Sequence, residues 1–329
     1  MTLSEHPFAA LTPDRVLTAV ESLGFETDAR FFALNSYENR VYQIGLLDGT
    51  NLIAKFYRPG RWDARQIDEE HIFTQELFDL ELPVVPPIKL TNSETHVEVN
   101  GFALALFPQL TGRTPELDDL DSLFTMGRFV ARIHAVGARN SFDYRQHMAL
   151  ETAIDSSRHL LENDFLPPDL ITAYETLVRD LFDRMSDQLA SAGGWRPLRI
   201  HGDCHLGNVL WRNGIPHFVD FDDTVMGPAI QDLWMLLSGD RDQRQAQLLE
   251  LAEGYSEFND FRVCELSLIE ILRTMRLINF SAWLARRWND PAFPLAFPWF
   301  NTQRYWAEHI LELREQIVAL DEPTLKLVQ

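Results

Sequence analysis

The sequence predicts an α+β fold of two lobes, a small antiparallel sheet with one helix on it followed by a larger and mainly helical part. Two patterns predict it. Short apolar runs separated by turn signals crowd the first third of the chain, and long segments of helical periodicity dominate the remainder. No repeat, low-complexity stretch or long Gly/Ser/Pro linker interrupts the 329 residues, so the boundary between the lobes is a tight hinge. We place it after residue 107, giving lobes 1–107 and 108–329.

Thr12-Pro13 reads as an N-cap with proline at the first helical position, and Val16, Leu17 and Val20 give that helix an apolar face before Gly24 stops it. Three strand-like runs follow at 31–34, 40–44 and 52–56, the last two flanking the turn pair Asp48-Gly49. Strand alternation puts Leu52, Ala54 and Phe56 on one face and Ile53, Lys55 and Tyr57 on the other. A helix over about 65–80 aligns Ile67, Glu70, Thr74 and Leu77 on one stripe, so a glutamate lies among packed positions. A buried Lys55 calls for an acidic partner, and Glu70 is better placed than Glu69, although a helix rotation of one residue exchanges them. Strand character returns at 88–90, 96–99 and 102–107, with Asn100-Gly101 as the turn. Beyond Pro108, helices are expected over about 120–136, 169–189, 229–237, 246–255 and 265–288.

Hydrophobic residues make up 46% of the chain and charged residues 24%, with 22 Phe and 8 Trp, which supplies a packed core and excludes disorder. Cys204 and Cys264 cannot form a disulfide framework, and neither belongs to a Cys-x-x-Cys pair, so a reducing compartment is expected. No apolar run has the length of a membrane span, and the segment from Met1 to Pro7 lacks the order of a signal peptide. A cytoplasmic monomer is the expectation. The 49 acidic against 29 basic residues give a formal charge of −20, which disfavours nucleic acids and anionic membranes as partners and draws cationic polypeptides.

The chemistry concentrates between 201 and 223. Strand 198–200 leads into His201-Gly202-Asp203-Cys204-His205-Leu206-Gly207-Asn208, a second strand reaches Trp211, Asn213-Gly214 turns the chain, and 216–219 runs straight into Asp220-Phe221-Asp222-Asp223. Phosphoryl transfer needs a carboxylate to orient the attacking hydroxyl and oxygen ligands for magnesium on a triphosphate. Asp203, Asn208 and Asp220 meet that need at the spacing His-x-Asp-x-x-x-x-Asn followed by a hairpin and another Asp.

With Asn35-Ser36-Tyr37-Glu38-Asn39-Arg40, Lys55-Phe56-Tyr57-Arg58-Pro59, Gly227-Pro228-Ala229-Ile230-Gln231-Asp232 and Trp288-Asn289-Asp290-Pro291, these motifs carry a resemblance over nearly the whole chain. It resembles kinases of the aminoglycoside phosphotransferase and choline kinase fold, and within them a bacterial branch that phosphorylates protein serine and threonine. The resemblance implies a two-lobed protein-kinase-like fold, ATP as co-substrate and Mg2+ as cofactor. It implies Asp203 as the proton acceptor, Asn208 and Asp220 as magnesium ligands, with Asp220 counted catalytic alongside Asp203, Lys55 with Glu70 as the pair gripping the phosphates, and Ser36 at the outer phosphates. A stress-response role and protein substrates with Ser or Thr acceptors are implied in the same way, and so is an anchoring role for Asp232 on the backbone of the catalytic loop.

Three features depart from ordinary protein kinases. The loop 35–40 contains no glycine, Gly202 stands in place of the catalytic-loop arginine, and little chain separates Asp220 from Asp232 on which to dock a peptide or carry an activating phosphate. A small-molecule alcohol kinase of the choline, homoserine or aminoglycoside type is therefore the rival enzyme, and a nucleotide-binding pseudokinase the rival from another class. Blander readings stand beside several motifs. A zinc site at His201, Cys204 and His205 lacks a fourth ligand, and a Cys204–His205 nucleophile pair has poor geometry. The acidic run Glu116, Asp118, Asp119 and Asp121 suits a helix amino terminus, and Trp283, Trp288, Trp299 and Trp306 suit core packing.

Overall fold

In this computed structural model residues 7–116 and 119–327 are described, so the reading of the first six residues and of Asp118 lies outside the described residues. Thr12 caps α1 (Pro13–Ser22), its hydroxyl accepting from the Arg15 N–H with Pro13 at the first position. Strands β1 (Thr27–Ala33), β2 (Arg40–Leu46), β3 (Asn51–Phe56), β4 (Val97–Val99) and β5 (Phe102–Pro108) form one antiparallel sheet in the order β1-β2-β3-β5-β4. The α+β class therefore holds. Leu52, Ala54 and Phe56 pack with Ile44, Leu104 and the α1 residues Val16 and Val20, so α1 covers one face of the sheet. On the other face Tyr57 packs with Ile67 of α2 (Ala64–Asp79), which opens on a reciprocal Asp63–Gln66 capping box.

The run expected as a strand at 88–90 is not one. Pro86 and Pro87 have no N–H to offer a ladder, and the segment reaches the sheet through the Ile88 N–H to the Leu106 carbonyl at 2.6 Å.

The remainder is mainly helical: α3 (Leu120–Gly137), α4 (Leu150–Glu162), α5 (Ile171–Ser191), α6 (Ile230–Trp234), α7 (Arg241–Ser256), α8 (Ile269–Arg287), α9 (Ala292–Ala296) and α10 (Gln303–Asp321). Sequence reasoning missed α4, α9 and α10. The buried stripe of α4 includes Ala153, Ser156 and Ser157, and that of α10 includes His309 and Gln316, which dilutes the apolar period by which a helix is read. α9 has five residues and contains Pro294. No helix among the described residues is long and apolar enough to cross a membrane.

Two short ladders set into the helical part shape the polar cluster. β6 (Leu198–Ile200) pairs with β9 (Val225–Gly227), and β7 (Val209–Arg212) pairs with β8 (Ile215–Phe218) across Asn213-Gly214, both residues with positive φ as a tight hairpin requires. The loop 201–208 and the turn 219–224 are thereby held at the strand ends.

Candidate active site

Lys55 projects from β3 on the face opposite the α1 core and is 5% exposed. Its Nζ lies 3.4 Å from Glu70 Oε1, 3.1 Å from Asp220 Oδ1 and 3.1 Å from Asp222 Oδ1. Burial pushes the ammonium down, but the three carboxylates outweigh it and hold Lys55 well above its ordinary value, so it stays charged. Glu70 is the partner, as its stripe position on α2 indicated. Its second oxygen accepts from Arg145 Nη2 at 2.8 Å, whereas Glu69 takes the backbone N–H groups of Asp143, Tyr144 and Arg145.

Sequence reasoning missed Asp222, Arg145 and Arg61. Arg61 pairs with both Asp222 and Asp223, and Arg145 donates to the Asp222 carbonyl. Around the turn, three cations (Lys55, Arg61, Arg145) face four carboxylates (Glu70, Asp220, Asp222, Asp223), which leaves an excess of negative charge. Asp222 was signalled only by standing two residues after Asp220. Asp220 itself has φ 60° and ψ 65°, a left-handed conformation that Asp tolerates better than most residues, and its side chain is 54% exposed. Phe221 then turns inward, its ring 4.5 Å from that of His201 and 6.0 Å from that of Phe73 on α2.

The catalytic-type loop is fixed from below by Asp232. Its two oxygens accept the backbone N–H groups of His201 at 2.8 Å and Gly202 at 2.9 Å, and His134 of α3 holds the same carboxylate at 3.0 Å. Gly202 has φ 84°, and a Cβ there would lie 2.2 Å from the Asp223 carbonyl, so no arginine can occupy the position in this backbone. His201 Nε2 bonds the Val219 carbonyl at 2.9 Å, bracing the loop against the residue before Asp220. Asn208 Nδ2 donates to the Asp203 carbonyl at 3.0 Å, leaving Oδ1 as its atom for a cation, and the Asn208 carbonyl accepts the Val219 N–H at 3.0 Å. Asp203, Asn208 and Asp220 are thus brought to one loop cluster beneath Lys55.

Asp203 Oδ1 accepts from Arg276 Nη1 of α8 at 2.7 Å, and Oδ2 faces His205 Nε2 at 3.4 Å. Burial raises Asp203, but His205 and Arg276 outweigh it and hold its carboxyl well below the usual carboxylate range. Among the described residues no group of three His, Cys, Asp or Glu side chains forms a ready-made metal cage. Hard oxygen donors from Asn208 and Asp220, in a site with surplus negative charge, fit magnesium, which is held by few protein ligands and by phosphate oxygens, whereas both oxygens of buried Asp222 are taken by Lys55 and Arg61.

Ser36 lies in the loop between β1 and β2, its hydroxyl donating to the Asn39 carbonyl at 3.2 Å. Arginines stiffen this glycine-free loop. Arg58 donates to the Glu38 carbonyl at 2.9 Å and the Tyr37 carbonyl at 3.1 Å, and Arg40 donates to the Tyr37 and Asn39 carbonyls. Both arginines pair with buried Asp290, and Glu38 binds Arg287 and the Trp283 N–H of α8. The tryptophans are therefore not uniform: Trp306 is core, Trp283 bonds the loop, and Trp299 is 44% exposed.

The model of the phosphotransferase enzyme family matches residues 30–266, and the chain belongs to that family. Within it the chain is similar to stress response kinase A of Escherichia coli O157:H7, at 43% identity over 99% of both chains. It is likewise similar to the serine/threonine protein kinase RdoA of Salmonella typhimurium (strain LT2), at 41% identity over 97% of each. Among solved structures, amicoumacin kinase hAmiN superposes with a TM-score of 0.74 at 18% identity over 96% of each chain, and a microcompartment-associated aminopropanol kinase with 0.72 at 18% identity over 95% of this chain and all of that one. These two share the fold.

Proposed function

We propose that this chain is an ATP- and Mg2+-dependent kinase that transfers the γ-phosphate to serine or threonine hydroxyls of proteins, in a stress response. The single observation that carries the reading is identity above 40% over at least 97% of the chain to relatives named stress response kinase A and serine/threonine protein kinase RdoA. The site geometry supports it, because every group that phosphoryl transfer needs lies in one cluster.

Lys55, oriented by Glu70 and in turn by Arg145, binds the nucleotide phosphates. Asn208 and Asp220 would hold magnesium on those phosphates, and Ser36 with the backbone of its arginine-braced loop meets the outer ones. When bound, Mg2+ offsets the charge of the triphosphate and of the leaving diphosphate. Asp203 accepts the proton of the acceptor hydroxyl as the new oxygen–phosphorus bond forms and the bond to the β-phosphate oxygen breaks. The division into a nucleotide-binding lobe 1–107 and a catalytic lobe 108–329 goes with this reading, as does a monomer in the cytoplasm, where ATP is available and two unpaired cysteines are at home.

A second reading, transfer to a small alcohol, is favoured by one observation. The chain from Phe221 to Trp234 is pinned as a 3-10 turn, β9 and α6, with no free segment on which to lay a peptide. Transfer of labelled γ-phosphate to protein and metabolite panels side by side separates the two. Exclusive labelling of a small alcohol would remove the protein acceptor and keep the kinase.

A further inference from the structure

We propose that Arg276 is the acceptor-selecting residue of this site, and that the acceptor hydroxyl it admits is flanked by a carboxylate rather than by an ammonium group. The proposal rests on the kinase reading above and deepens it. Arg276 stands at the point of transfer: its Nη1 bonds Asp203 Oδ1 at 2.7 Å, and its side chain is 45% exposed where that of Asp203 is 24% exposed. The guanidinium is the outer layer and the base the inner one, so a hydroxyl reaching Asp203 must displace or slide past Arg276. Among the described residues Arg276 makes no other ion pair, and nothing else holds it in place.

Between Glu270 and Asp290 the sequence contains no acidic residue. Arg273 and Arg287 in that stretch are paired with Glu270 and Glu38, and Arg286 bonds Ser156 of α4, so Arg276 is the arginine of α8 turned to Asp203. One turn beyond Arg276, Phe280 is 43% exposed and stacks on Trp283 with ring centres 5.7 Å apart, and Trp283 in turn bonds Glu38 of the phosphate-side loop. From the base to the phosphate loop, α8 therefore offers a guanidinium and then an aromatic surface.

An acceptor carrying an ammonium beside its hydroxyl would bring like charge to about 5 Å from Arg276, a repulsion equivalent to roughly 300-fold in rate at an effective dielectric constant of about 20, before the attraction of Asp203 is set against it. An acceptor carrying a carboxylate instead gives the guanidinium somewhere to go. Arg276 can then move from Asp203 to that carboxylate, which frees Asp203 Oδ1 for the acceptor hydroxyl. The chain's net charge of −20 draws cationic polypeptides only at long range. At contact distance the nearest fixed charges act, and Arg276 is the cation among them, set against Asp203 at 2.7 Å.

The test measures kcat/KM for charge-paired acceptors: two serine peptides differing only in glutamate or lysine next to the serine, and the small alcohols glycerate and ethanolamine. The parent should favour the anionic member of a pair by about 10-fold or more, Arg276→Glu should reverse the ratio, and Arg276→Lys should keep its sign. Labelling of glycerate over ethanolamine with neither peptide labelled would overturn the protein acceptor and support the role of Arg276. A parent ratio near one, or one unchanged in Arg276→Glu, would overturn the role of Arg276 whichever acceptor is used.

Discussion

Asp290 and Arg58 meet at 2.9 Å, 232 residues apart in sequence, and both are buried. The pair joins the loop that carries Ser36 to the helical part, because Arg58 also holds the Tyr37 and Glu38 carbonyls. Asp290→Ala leaves Arg58 and Arg40 without this carboxylate, and removing one partner of a buried pair costs about 3 kcal/mol. Urea unfolding should show a lower midpoint at an unchanged slope, with a raised KM for ATP. A midpoint equal to that of the parent would show that the pair does not hold the lobes.

Glu70 and Glu69 are adjacent but point to different tasks. Glu70→Gln weakens the grip on Lys55 and Arg145, and nucleotide affinity should fall by about 10-fold, the equivalent of one charge-assisted hydrogen bond. Glu69→Gln keeps only one of the two oxygens that accept the backbone N–H groups at 143–145 and should lower stability by about 1–2 kcal/mol with a smaller change in nucleotide affinity. Titration calorimetry and thermal melting on both variants decide it, and equal loss of affinity in the two would contradict the assignment.

Asp220→Asn replaces a charged oxygen donor with a neutral one. ATP affinity in the parent should depend strongly on Mg2+ and in this variant much less so. Calorimetry with magnesium and with EDTA reads this directly. Equal ATP affinity in the two media for the parent protein would contradict the proposed ligand set.

Acid should destabilise the protein through His309. It is buried against Tyr174, Tyr305 and Trp306, and burial lowers it to about 4, against about 6.5 in the unfolded chain. The unfolded state therefore binds the extra proton first. Stability falls as pH drops below about 6.5 and the loss is complete near 4, amounting to about 3 kcal/mol for this group. His71, held low chiefly by burial, acts in the same direction. Melting temperature of His309→Gln should fall less steeply than that of the parent between those two values, and parallel slopes would contradict the assignment.

The loop 201–220 was legible because its polar residues are contiguous and their spacing is dictated by a loop and a hairpin. Glu70 was legible because its neighbours Ile67, Thr74 and Leu77 mark the buried stripe of α2. Arg61, Arg145, Arg276 and Asp290 were not. Each is a single charged residue on a loop or helix that looks solvated in sequence, and only the packing of distant segments brings it to the site. Trp283 misled for the converse reason, since the apolar ring that suggested core also carries an N–H that finds Glu38.

The proposed role of Asp203 is to accept the acceptor's proton in phosphoryl transfer to protein serine or threonine. It is tested most directly by labelled γ-phosphate transfer to protein acceptors, with phosphoamino acid analysis, in the parent and in Asp203→Ala at matched ATP occupancy. Labelled phosphoserine or phosphothreonine in the parent, falling by about 10²- to 10⁴-fold in the variant while ATP still binds, is the expected result. Unchanged turnover in Asp203→Ala, or labelling confined to a small alcohol, would contradict it.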